Sequence, residues 1–80
     1  MKKSDVINDC AKAAHDEWFV EKWDRLKTLG LPMSWPSEAG EEQLVPWWQL
    51  SEPVREFDRI VVRAILDELE RKGVVEFEVE

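Results

Sequence analysis

Hydrophobic and polar positions divide the chain into two long stretches of helical period, an irregular but apolar-rich segment between them, and a short alternating tail. From Val6 to about Leu29 there is no Pro or Gly, and Gly30 followed by Pro32 marks a stop. At 100° per residue, Ile7, Cys10, Ala11, Ala14, Trp18, Phe19, Leu26 and Leu29 gather on one broad face. Lys12, Asp16, Glu17, Glu21, Asp24 and Lys27 take the other side or its margins. Ser4 is the expected N-cap, with Asp5 near the positive end of the helix. The second helix opens at Ser51-Glu52-Pro53 and runs to Lys72, with Gly73 just past its end. Val54, Phe57, Val61, Ala64, Ile65 and Leu69 are its expected buried stripe.

In the tail, Val75, Phe77 and Val79 alternate with Glu76, Glu78 and Glu80, which is a strand period. Gln43-Leu44-Val45 is the expected in-chain partner, and pairing with a second copy is the alternative for an otherwise free edge. The connecting segment from Leu31 to Gln49 holds Pro32, Pro36, Gly40 and Pro46, and Glu38 to Glu42 reads as a solvated turn. It also carries Leu31, Met33, Trp35, Leu44, Val45, Trp47 and Trp48, more large apolar groups than a flexible linker uses. The expected architecture is therefore mainly α: two principal antiparallel helices, an ordered connecting loop and a short β pairing involving the C-terminal tail.

Composition adjusts this picture. The 80 residues make one small domain, and five tryptophans supply the large apolar groups that such a domain needs in place of disulfides or metal. The single Cys10 excludes an intrachain disulfide, and one Cys with one His is no zinc set. A reducing, cytoplasmic setting is the expectation, with no apolar run suited to a signal peptide or a membrane span. The net charge of −7 disfavours a nucleic-acid polymer as partner, although a local basic patch can still hold a small phosphorylated ligand.

Two polar residues sit on the apolar side of the wheel. His15 falls near Phe19 and Leu26, and Asp58 shares a stripe with Val54, Val61, Ile65 and Leu69. Two inward polar groups are expected to meet, as a hydrogen-bonded structural pair or around a common ligand, because an unpaired buried charge is costly. Cys10 and His15 lie five residues apart, about 140° on the wheel, too divergent for a nucleophile and its base, so Cys10 reads as a small core residue. No phosphate-cradling glycine loop, nucleophile elbow or paired-carboxylate spacing is present. Neither a catalytic set nor a cofactor is expected. After Pro46, adjacent Trp47 and Trp48 either both close the core over the helices or, in an extended segment, face opposite ways, one toward the core and one toward a surface or cleft. An exposed indole beside Lys22, Arg55 or Arg59 suits a planar or anionic ligand.

Three motifs in series carry a family resemblance. Ala14-His15-Asp16-Glu17-Trp18 with Lys22, then Leu44-Val45-Pro46-Trp47-Trp48-Gln49-Leu50-Ser51-Glu52, then Arg55-Glu56-Phe57-Asp58-Arg59 resemble, in order and spacing, segments of the ryanodine-receptor (RyR) repeat domain. They bracket about residues 10–72. Gly30 to Trp35 lacks the family's usual G-W-x-Y-G element, and Trp47 and Phe57 stand where Tyr is usual. The resemblance implies a single RyR-like domain over residues 1–80, with two main helices, short strands and long loops. Such domains occur in tandem in calcium-release channels and as stand-alone modules in bacteria and their phages. It implies a non-enzymatic module for a small anionic or nucleotide-like ligand. The expected site is His15, Trp18, Lys22, Trp47, Trp48, Arg55, Asp58 and Arg59. A protein-interaction adaptor, dimeric through the Val75-Phe77-Val79 strand, is the alternative, and an enzyme using His15 and Asp58 is the third.

Overall fold

The computed structural model describes Met1–Glu80 and contains two α-helices, α1 (Lys3–Leu29) and α2 (Glu52–Arg71), with a single 3₁₀ turn (Trp47–Gln49) before α2. The helices are antiparallel: Lys3 reaches Asp67 and Glu70, and further along α1 Asn8 reaches Arg59. Between these polar contacts Ile7 and Ala11 of α1 pack with Val62 and Leu66 of α2, and Val6, Trp47, Leu69 and Phe77 close around them. At 1.5 Å per residue α1 is about 10 Å longer than α2. Leu26 is buried near its far end, and Leu44 and Leu50 of the connecting segment are buried as well. No helix is long and apolar enough to cross a membrane.

Both helix ends follow their local chemistry. Gly30 (φ 67°) closes α1, and the amide of Leu31 donates to the Leu26 carbonyl (3.0 Å). Gly73 (φ 73°) does the same for α2, with Val74 N–H on the Leu69 carbonyl (3.0 Å) and Gly73 N–H on that of Glu70 (3.0 Å). These paired bonds satisfy carbonyls that a helix end otherwise leaves open, in a geometry that glycine adopts without strain. Ser51 caps α2 by accepting from the Val54 amide (3.4 Å), with Pro53 in the first turn.

Four expectations are corrected. Ser4 is not the N-cap: α1 begins at Lys3 after an extended Lys2, and the Ser4 hydroxyl donates to the Glu80 carboxylate. The tail forms no strand and there is no sheet; a lone bridge joins Glu78 to Lys2, and Gln43-Leu44-Val45 does not pair with the tail. The alternation of Val75 and Phe77 instead turns these side chains inward, half-buried, with Phe77 against the helix pair. The buried line of α2 is Val62 and Leu66, with Leu69 and Val54 half-buried, while Phe57, Val61, Ala64 and Ile65 are exposed. The half-buried Arg55, Asp58 and Arg59 occupy the side of α2 turned to α1, which tips the apolar stripe outward. Cys10 is likewise exposed rather than in the core.

Candidate functional site

Three elements converge on a cavity of about 380 Å³: Ala14, His15 and Trp18 from α1, Trp35 and Gln43 from the loop, and Phe57 and Asp58 from α2. This lies within the size range of small-molecule pockets, and its aromatic walls with a few polar groups match their usual chemistry.

Trp35 owes its position to a compact turn. Ser37 N–H donates to the Glu41 carbonyl (2.7 Å), Gln43 N–H donates to that of Trp35 (3.1 Å), and Gly40 supplies the positive φ of 84°. Glu42 locks the turn from inside: its carboxylate accepts from the amides of Trp35 (2.7 Å) and Leu44 (3.3 Å). A hydrogen bond from Ser34, with those amides, holds its carboxyl below the usual carboxylate range. Trp35 thereby meets Trp18 edge-on, with centroids 6.1 Å apart and planes at 87°, so the two indoles form an aromatic corner. The Lys22 ammonium stands 5.1 Å from the Trp35 ring centroid and forms no ion pair.

His15 is 5% exposed, and its ring stacks on Trp18 at 5.6 Å. Its Nε2 lies 2.7 Å from the carbonyl oxygen of Val45, so Nε2 carries the proton and donates. The expected His15–Asp58 hydrogen bond is absent, because the backbone of the loop reaches His15 first. Asp58 makes no hydrogen bond within the chain. Burial pushes its carboxyl above the ordinary value, and the neighbouring His15 opposes that shift. It is the one acidic side chain lining this cavity.

The other expected site residues are placed as follows. Trp47 is half-buried, 6.1 Å from His15 by ring centroids, with the Arg59 guanidinium 5.8 Å from its ring. Trp48 is 72% exposed and away from the cavity walls. The two indoles do diverge, but through a 3₁₀ turn rather than an extended segment. Arg55 pairs with Glu52 (3.1 Å), leaving its enclosed Nε without an acceptor. Arg59 pairs with Glu52 and Glu56 and donates from Nε to Asn8 (2.7 Å). Both arginines are thus already neutralised by acids of their own helix. Ala14, Trp35, Gln43 and Phe57 line the cavity and were not among the expected site residues. Trp35 carried a signal, a large aromatic between two prolines in a loop otherwise rich in turn residues.

A second cavity, of about 480 Å³, opens on the opposite flank among Lys3, Asn8, Glu52, Arg59, Arg63 and Glu80. Two of its cations are already paired, Arg59 with Glu52 across the cavity and Lys3 with Asp67 and Glu70 outside it. No three His, Cys, Asp or Glu side chains converge as metal ligands.

Fold and cavity together define a small two-helix domain with an aromatic cleft held shut at one side by an ordered loop. Compared with known proteins, the chain matches no family model, no curated protein and no solved structure.

Proposed function

We propose that this protein is a non-enzymatic binding module for a small nucleotide-like ligand, of the kind that its resemblance to RyR repeat domains implies. The observation that carries the reading is the corner of Trp18 and Trp35 with Asp58 facing the same cavity. A planar heterocycle fits such a corner by stacking on one ring and meeting the other edge-on. Ring N–H or exocyclic amine donors then satisfy the Asp58 carboxylate, which has no partner of its own. A phosphate attached to that heterocycle finds the unpaired Lys22, whose ammonium stands over the Trp35 ring. Arg55 and Arg59, neutralised by Glu52 and Glu56, offer an anion much less. His15, Trp18 and Asp58 come from two of the resembling motifs and line one cavity, which supports the reading further.

Thermal denaturation against a panel of nucleosides, mononucleotides and dinucleotides tests it. At least one compound raises the melting temperature, since binding at 100 times Kd adds about 2.7 kcal/mol to the native state. Trp35→Ala abolishes the shift, and Lys22→Ala weakens phosphorylated compounds by roughly tenfold while leaving nucleosides unaffected. A panel without any shift would falsify the proposal.

A protein-interaction role draws on a different observation, the exposed apolar side chains of α2, and needs no ligand in the cleft.

A further inference from the structure

The helix pair is two-faced. One flank is charged, with Lys3, Asn8, Glu52, Arg59 and Arg63 around the second cavity. On the other flank Phe57, Val61 and Ile65, spaced four residues apart, form an uncharged ridge along α2 that is 68%, 49% and 56% exposed respectively. Ala14, which shares the aromatic cleft with Phe57, and Cys10 one turn earlier put the exposed small side chains of α1 beside this ridge.

The amount of exposed surface says how much is left uncovered. A compact monomer of 9.4 kDa exposes about 5,000 Å². This chain exposes 5837 Å², an excess of about 800 Å² spread over the overhanging end of α1, the loop and this ridge, and its radius of gyration is 15.0 Å against the ~12 Å of a compact chain of this length. One partner of a standard-size protein interface contributes about 800 Å². The ridge also has the symmetry of a self-contact. A two-fold axis through Val61 sets Phe57 of one copy against Ile65 of the other, twice, and no charge lies on the line. Ridges of residues four apart interdigitate in the commonest helix–helix packing, and an isologous contact needs a surface complementary to itself.

We infer that this protein forms a two-fold dimer through the α2 ridge of Phe57, Val61 and Ile65. The tail is not the contact, since Phe77 already packs against the helix pair. Phe57 also walls the cleft, but Val61 and Ile65 lie outside it, so substitutions at those two positions test the dimer apart from the ligand reading.

Sedimentation of the full chain over roughly 1 to 500 µM tests the dimer, a range suited to an interface of this size. The wild-type mass climbs from 9.4 kDa toward twice that value with rising concentration. Ile65→Lys and Val61→Gln hold the mass at the monomer while keeping the helical circular dichroism, because both side chains are solvent-exposed in the single chain. Arg63→Ala, on the charged flank, dimerises as the wild type does. Maleimide labelling of Cys10 slows as wild-type concentration rises and does not slow in Ile65→Lys. A wild type that stays monomeric throughout the range overturns the inference, whatever else covers the ridge. So does a dimer that persists unchanged in Ile65→Lys and Val61→Gln.

Discussion

His15 and Asp58 were both legible as inward-facing residues from angular position alone, and both are, yet their partners were not legible. The acceptor for His15 is a backbone carbonyl 30 residues away. Its position depends on the path of the loop, about which side-chain periodicity says nothing. Asp58 is left with a partly desolvated carboxyl and no donor from the chain, which disfavours its ionised form. Because its folded-state pKa is raised, the chain is favoured at low pH, below the ordinary value of 3.8, and that advantage is lost as pH rises through the folded pKa. Asp58→Asn removes the ionisation and keeps the shape. Its melting temperature is expected to exceed that of the wild type at pH 7 and to converge with it below about pH 3.8. The same variant loses the thermal shift with whichever nucleotide stabilises the wild type. A variant less stable than wild type at neutral pH, with its ligand response intact, would show that Asp58 is held by a structural partner instead.

At the level of elements, the two helices were readable because their stop and start signals are local. Gly30, Ser51, Pro53 and Gly73 act within one turn of themselves, and each does what its chemistry dictates. Ser51→Ala removes the acceptor for the Val54 amide and is expected to cost about 1 kcal/mol in chemical denaturation, with no change in the fold. The tail was misread for the opposite reason. Alternation specifies a strand only where a neighbouring strand exists, and here Phe77 finds a helix pair instead. The loop's order was legible from its apolar content, but its fastening was not, because Glu42 belongs to a run that looks like a solvated acidic turn. Its lowered pKa means that the fastening is complete above 4.5 and fails as pH falls through the folded value. The indole N–H resonance of Trp35 should therefore stay sharp and dispersed from pH 7 to about 5 and broaden in more acid solution. Glu42→Gln should show the broadened state already at pH 7. A Trp35 signal that ignores both changes would mean that the loop is held by its apolar contacts alone.

For the molecule as a whole, the two apolar arcs are wider than the seam that two helices share. The sequence shows both arcs, but their width cannot say which half of each faces the partner helix. The contacts of Lys3 with Asp67 and Glu70, and of Arg59 with Asn8, mark the flank of α2 that lies nearer α1, while Phe57, Val61 and Ile65 are left exposed. Adjacent residues then play opposite roles. Leu66 lies in the four-residue core with Ile7, Ala11 and Val62, while Ile65 is on the open ridge. Leu66→Ala leaves a cavity in a core too small to absorb it and is expected to cost about 2–5 kcal/mol, enough to unfold much of so small a domain. Ile65→Ala costs the single chain less than Leu66→Ala, because more than half of the Ile65 side chain is already in water. In the dimer the same truncation weakens the contact that links folding to association. The wild-type melting temperature should thus rise with protein concentration, and in Ile65→Ala it should rise less or not at all, whereas Leu66→Ala melts earlier at every concentration. A concentration-independent melting temperature in the wild type would leave the ridge as bare surface and the excess area as a property of an elongated monomer.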